Sequence, residues 1–172
     1  FQCVHAGLGD TWIGMPPGSA IALEDAQATV ASLQQTGLHV TLEGNIDQIL
    51  WEKLAVNASI NGLTALMSCR NGAVLDSVHG LSLMKSLCAE VGHVVEASKI
   101  PLRTDLLSAA TRVAHQNADN FSSMHQDMVS GRATEIDYIN GFVVKKSALL
   151  GVPTPTNLAI YDLIKMKEEM RT

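Results

Sequence analysis

In the stretch WEKLAVNASIN, residues 51–61, a lysine and two asparagines recur at every fourth position: Lys53, Asn57 and Asn61. A lysine ammonium stripped of water gives up its proton closer to neutral pH, and an asparagine amide both donates and accepts. Such a row suits the orientation and protonation of a carbonyl. At about 100° per residue, with Lys53 at zero, Asn57 falls at about 40°, Asn61 at about 80° and Thr64 at about 20°. Ile46, Ile49, Leu50 and Ile60 share that arc, whereas Gln48, Trp51, Glu52, Ala55, Ala58 and Ser59 lie opposite. The spacing therefore predicts the polar row inside the packed stripe, with the solvent face behind it. An unpaired buried amide costs about 1–3 kcal/mol and an ammonium more, so the row needs partners. A polar seam between helices and a ligand in a cleft both answer that need.

Other residue types allow chemistry less specifically. In NFSSM, Ser122 or Ser123 can cap a helix, and a helix N-terminus attracts carboxylates. Glu135, following Thr134, fits a first turn by dipole complementarity, and Asn71–Gly72 is a turn dipeptide. Glu90 and His93 have the Glu-x-x-His spacing of di-iron bundles, but no second copy accompanies them, which favours packing and no metal. The histidines do not repeat at ligand spacing; His125 alone lies near the serines. GLGDTW starts as GxG yet lacks the third glycine and a preceding strand, so it reads as a Gly-rich turn. Met124, Met128, Met166 and Met170 are helix-spaced gap-fillers for a core or an interface. The tandem Lys145–Lys146 reads as a solvated helix face.

These residues need elements to hold them. The 172 residues suffice for one domain with a sizeable core, or one domain plus a fragment of another. At 47% hydrophobic and 17% charged the chain is globular, and 4% aromatic content points to an aliphatic core of packed helices. Dispersed basic residues and a net charge of −5 argue against nucleic acid. No apolar run approaches the roughly 18 residues of a membrane span, and no signal peptide is evident. Cys3, Cys69 and Cys88 form an odd set without CxxC spacing, so free thiols in a reducing, cytoplasmic setting are expected. Residues 1–14 alternate like strands, MPPGS breaks the chain, a helix runs to Gly37, and LHVTLEG is a short strand. From Asn45 onward helices are expected near 46–67, 78–98, 103–119, 122–130, 134–150 and 156–170. The expected fold class is mainly α: a small α/β remnant over 1–44, then an all-helical domain over 45–172. Because the first residue is Phe1 and FQCVHAG reads as a strand entered partway, the chain is expected to be a piece of something longer.

Long segments then carry a resemblance. WEKLAVNASINGLTAL followed by CRNG, then SSMHQDMVSGRATEIDYINGFVV and GVPTPTN, resembles the C-terminal domain of ketopantoate reductases over most of residues 45–167. HAGLGDTWIG resembles, less distinctively, the last strands of that family's nucleotide-binding domain. The resemblance implies a helical domain like the C-terminal domain of 6-phosphogluconate dehydrogenase, preceded by a Rossmann remnant. It implies NADPH-dependent reduction of 2-dehydropantoate to pantoate, on the path to pantothenate and coenzyme A. It assigns Lys53 as the general acid, with Glu135 near substrate and nicotinamide ribose. Asn57, Asn61, Asn71, Ser123 and Met124 become substrate contacts, and Gly7 and Glu135 cofactor contacts. The small-molecule partner is a 2-oxo acid, and a homodimer is an open expectation, with the apolar face of AIYDLIKMKEEM as one dimer contact. Without GxGxxG, these residues alone are expected to show little catalysis. A reductase of another 2-oxo acid and a non-catalytic helical binding module are the competing readings.

Overall fold

The computed structural model describes residues 9–16 and 18–170. Cys3 and Gly7, and with them the expected strand over residues 1–8, lie outside the described residues. The chain divides into two compact units, Phe1–Leu50 and Trp51–Thr172, and the division falls within a helix.

In the first unit, β1 (Asp10–Gly14) pairs in parallel with β2 (His39–Glu43), placing Thr11 opposite Val40 and Ile13 opposite Leu42. Parallel neighbours need a crossover, and α1 (Leu23–Gln34) provides it. Ala26 and Val30, one turn apart on α1, are buried, as is Val40 of β2. Gln34 Nε2 donates to the Val40 carbonyl at 2.7 Å, and Gly37 takes the left-handed conformation that turns the chain into β2.

The second unit is helical. It contains most of α2 (Ile46–Met67), then α3 (Ala73–Asp76), α4 (Val78–Ala97), α5 (Leu106–Gln116), α6 (Ser123–Val129), a 3-10 turn (Ile136–Tyr138), α7 (Asn140–Leu150) and α8 (Pro155–Glu169). Met84, Leu87, Val91, Val94 and Val95 are buried along α4, the three- and four-residue rhythm of a central helix. They meet Ala55 and Ala58 of α2, Ala110 and Ala114 of α5, Val143 of α7 and Ile164 of α8 in one aliphatic core.

Local sequence sets most helix ends. Ser77, Asp105 and Ser122 each accept the N–H of the third helical residue, from Gly80, Ser108 and His125 respectively. The α8 N-terminus, opened by Pro155, is capped from afar. Glu90 of α4 accepts from the Thr156 and Asn157 backbones at 2.8 and 2.9 Å and from Asn157 Nδ2 at 2.8 Å. Both Glu90 oxygens are thus committed to α8. At the end of α2, Ser68 is left-handed and Cys69 N–H returns to the Thr64 carbonyl at 3.1 Å, while Lys167 donates to the Ala65 carbonyl at 3.0 Å.

The single helix expected over 134–150 is broken. Ile139, at φ −105° and ψ −96°, separates the 3-10 turn from α7. The break turns Asn140 inward, where Nδ2 donates to the Ala58 carbonyl and to Asn157 Oδ1, both at 3.0 Å. At Gly62 a Cβ would come within 2.3 Å of Ile160 Cγ2, so α2 and α8 touch through a missing side chain.

Candidate functional site

Helix α2 carries the lysine–asparagine row; Ile60, Asn61 and Thr64 are buried as expected, but the first half of the helix packs through the opposite face. Trp51, Ala55, Ala58 and Ser59, assigned to solvent by periodicity, are buried, whereas Leu50 is 55% exposed and Lys53 is exposed. The physical reason lies in the second half of the helix. From Ala58 to Ala65 every residue is buried, so the helix runs through the domain and no single stripe describes it. Only the first half has an open side, and the ammonium occupies it. Asn57 is half-buried and Asn61 is 7% exposed, so the row passes from solvent into the domain along one edge of the helix. The described residues thus do not supply the desolvation expected around Lys53.

Ser123 opens α6 with an exposed side chain, and Ser122, not Ser123, is the cap. Thr64 Oγ1 and Ser122 Oγ lie 2.7 Å apart, tying this helix start to the turn of α2 that contains Asn61. Met124, expected beside Ser123 as a substrate contact, is instead a core side chain at 1% exposure.

The CRNG turn follows α2 and grips the loop before Ser122. Asn71 N–H donates to the Asn120 carbonyl and Gly72 N–H to that of Ala118, both at 3.0 Å. Asn71 Nδ2 donates to the Asn117 carbonyl at 3.2 Å, and Arg70 donates to the Asp119 carbonyl. Gly72 is required by approach: a Cβ there would meet Ala118 Cβ at 2.8 Å. The Asn71 amide, expected to face substrate, is enclosed and serves this loop, with Oδ1 buried and unpaired. Arg70 also stands over the Phe121 ring, 5.1 Å from its centroid, and His125 stacks on that ring at 4.4 Å.

Glu135 is exposed just before the 3-10 turn, in a segment clamped to α8 from both sides. Glu168 accepts the Thr134 N–H at 2.7 Å; Asp137 accepts from the Tyr161 hydroxyl at 2.9 Å and the Lys165 ammonium at 3.1 Å. The Lys165 and Tyr161 bonds hold the Asp137 carboxyl below its usual range, and the Asp137 and Glu168 bonds raise Lys165. Burial pushes Glu168 up, but the Thr134 bonds and Lys165 outweigh it and leave that carboxyl lowered. Burial likewise raises the thiols of Cys69 and Cys88, both free and neither a ready nucleophile.

Sequence reasoning passed over Thr64 as a partner, Ser122 as a tether and Asn140 as a bridge. Thr64 and Asn140 gave no local signal beyond a polar residue on a packed helix, and Ser122 gave only that of a cap. The cluster that does form joins Asn61, Thr64, Ser122, Ser123 and the CRNG turn; Lys53 and Asn57 extend from it along α2.

Residues 45–168 match the family described as "Ketopantoate reductase PanE/ApbA C terminal". A 2-dehydropantoate 2-reductase of Yersinia pestis is 40% identical over 166 residues, 96% of this chain and 53% of that protein. One from Pyrobaculum aerophilum is 40% identical over 151 residues, 87% of this chain and 54% of that protein. A crystal structure of a PanE/ApbA family ketopantoate reductase from Ralstonia eutropha JMP134 superimposes with a TM-score of 0.85 at 27% identity, covering 96% of this chain and 53% of that one. The chain spans about half the length of the curated relatives it matches. With long motifs, helix order and chain trace in agreement, this chain belongs to the ketopantoate reductase family, as its C-terminal region.

Proposed function

We propose that these residues are the substrate-binding part of an NADPH-dependent reductase that converts 2-dehydropantoate to pantoate, in the cytoplasm. The observation that carries this reading is the row on α2. A lysine stands free on the open side of a helix whose other side is fixed, in line with amides that lead to a pinned serine. Reduction of a ketone builds negative charge on oxygen, and a cationic N–H donor placed there stabilises the transition state. Lys53 gives its proton to that oxygen. Asn57 and Asn61 orient the carbonyl and the terminal hydroxyl, and Ser123 binds the carboxylate with the backbone beside it, which leaves Met124 a role through its amide only. Asn71 acts indirectly, by holding the 117–120 loop.

The sequence has no GxGxxG turn to cradle a pyrophosphate, so only Gly7 and Glu135 are assigned to the cofactor, both by resemblance. When bound, NADPH supplies the hydride to the carbonyl carbon. The exposed Trp12 of the two-stranded parallel sheet, with exposed Leu38 just before β2, fits a larger sheet in the parent protein, since parallel sheets are normally covered on both faces.

The test is NADPH oxidation by the full-length parent with 2-dehydropantoate and other 2-oxo acids. We expect the highest kcat/KM with 2-dehydropantoate. A higher value with another 2-oxo acid would reassign the substrate, and inactivity with all of them would remove the reductase reading.

A further inference from the structure

We infer that Thr64 and Ser122 form a register pin that sets Ser123 against Asn61, making both hydroxyls positioning residues for the carboxylate end of the substrate. The inference rests on the functional reading above and adds two residues to it.

The two side chains come from positions 64 and 122, and both are buried, Thr64 completely and Ser122 to 6% exposure. Their oxygens are 2.7 Å apart. The Thr64 hydroxyl also lies 3.1 Å from the carbonyls of Ile60 and Asn61, which accept only. Since a hydroxyl has one hydrogen, one arrangement satisfies every contact. Thr64 donates back to its own helix at Ile60 and Asn61, and Ser122 donates to Thr64. Ser122 still accepts the His125 N–H at 3.1 Å. A directed chain of bonds thus runs from the Asn61 carbonyl to the first turn of α6.

The pin acts on a segment with little other freedom. The CRNG turn holds residues 117–120 by four backbone carbonyls, so only Phe121 separates that clamp from Ser122. The clamp belongs to the turn after α2, whereas the Thr64 bond reaches the body of α2. It therefore fixes how far along α2 the exposed Ser123 stands. The buried Glu90–Asn157–Asn140 network differs in kind: it joins helix backbones and connects no two candidate substrate contacts. For packing alone, an apolar pair of the same shape would serve about as well as two hydroxyls. What hydroxyls add is direction.

The full-length parent tests this with Thr64→Val, which keeps shape and removes the bond, and Thr64→Ser, which restores it. We expect KM for the 2-oxo acid to rise about five- to tenfold in Thr64→Val, the effect of about one hydrogen bond, with KM for NADPH unchanged. Thr64→Ser should stay within about twofold of wild type. A Thr64→Val enzyme with a lower Tm but an unchanged KM would overturn the pin, leaving a packing role. Should Thr64→Val not fold, Ser122→Gly removes the same bond at a position where glycine is tolerated as a cap, and a wild-type KM there overturns the proposal equally. If the wild-type parent reduces no 2-oxo acid, the functional reading fails separately. Hydrogen exchange on the present chain then decides the pin: Thr64→Val should speed exchange of the His125 amide about tenfold, and unchanged exchange sinks it.

Discussion

Lys53 is the residue at which chemistry separates most cleanly from stability. Its side chain is exposed and α2 is held by the opposite face, so the fold does not depend on the ammonium. In the full-length parent, Lys53→Ala should lower kcat by about 10²- to 10⁴-fold, the usual range for loss of a general acid, with the melting curve unchanged. Steady-state NADPH oxidation beside a thermal melt checks both halves, and an unaltered kcat rules out the acid role. Asn140 makes the opposite case. Fully buried, it donates to the Ala58 carbonyl and Asn157 Oδ1, and neither bond goes to a candidate substrate contact. Asn140→Ala should cost about 2–3 kcal/mol in urea unfolding of this chain by leaving buried acceptors unpaired.

At the scale of elements, two contacts decide how the site-bearing segments are held. The first is the close approach of α2 and α8 at Gly62. Gly62→Ala would drive a methyl into Ile160, so we expect about 1–3 kcal/mol of destabilisation despite the better helix propensity of alanine. A stability gain in urea unfolding would show that the helices slide apart at little cost. The second is the clamp of the 134–138 segment on α8. Asp137 and Glu168 have folded-state values depressed below their ordinary 3.8 and 4.5. Their stabilisation is therefore fully present above those ordinary values and is lost as pH falls through the depressed ones. Urea midpoints should therefore begin to fall as pH drops below 4.5 and go on falling below 3.8. Asp137→Asn should flatten part of that fall, and only part, because the Asp137–Lys165 pair is largely solvated. Lys165 has the reverse sign: its raised value keeps its contribution up to its ordinary 10.5 and loses it at higher pH.

At the scale of the whole molecule, these residues are about half the length of the relatives they match. Lys53 is exposed on α2, so among the described residues a ligand there would meet little enclosure. Calorimetric titration of this chain with pantoate should give weak or undetectable heat, with Kd above about 1 mM. Micromolar affinity would show that the helical part binds substrate unaided and that enclosure by further residues is unnecessary.

Much of the architecture was legible because its causes are local. Asp105 and Gly151 mark ends that need only their neighbours, and α2 runs over the same residues, Ile46–Met67, as its periodicity predicts. The short α3 was missed, since four residues carry no period to detect. Residue types with a spacing of four, joined to long family-like motifs, sufficed to nominate Lys53, Asn57, Asn61 and Ser123. The face on which Lys53 lies was not legible, because a helix buried all round in its second half has no apolar stripe to read. The break at Ile139 was equally hidden: a backbone that propensity would continue as a helix is redirected so that Asn140 reaches Ala58 and Asn157. The sequence by itself determined which residue types are available and where the helices begin and end. Only the tertiary structure decided that the lysine faces outward, that Met124 faces inward, and that Thr64 meets Ser122, since each depends on contacts between segments distant along the chain.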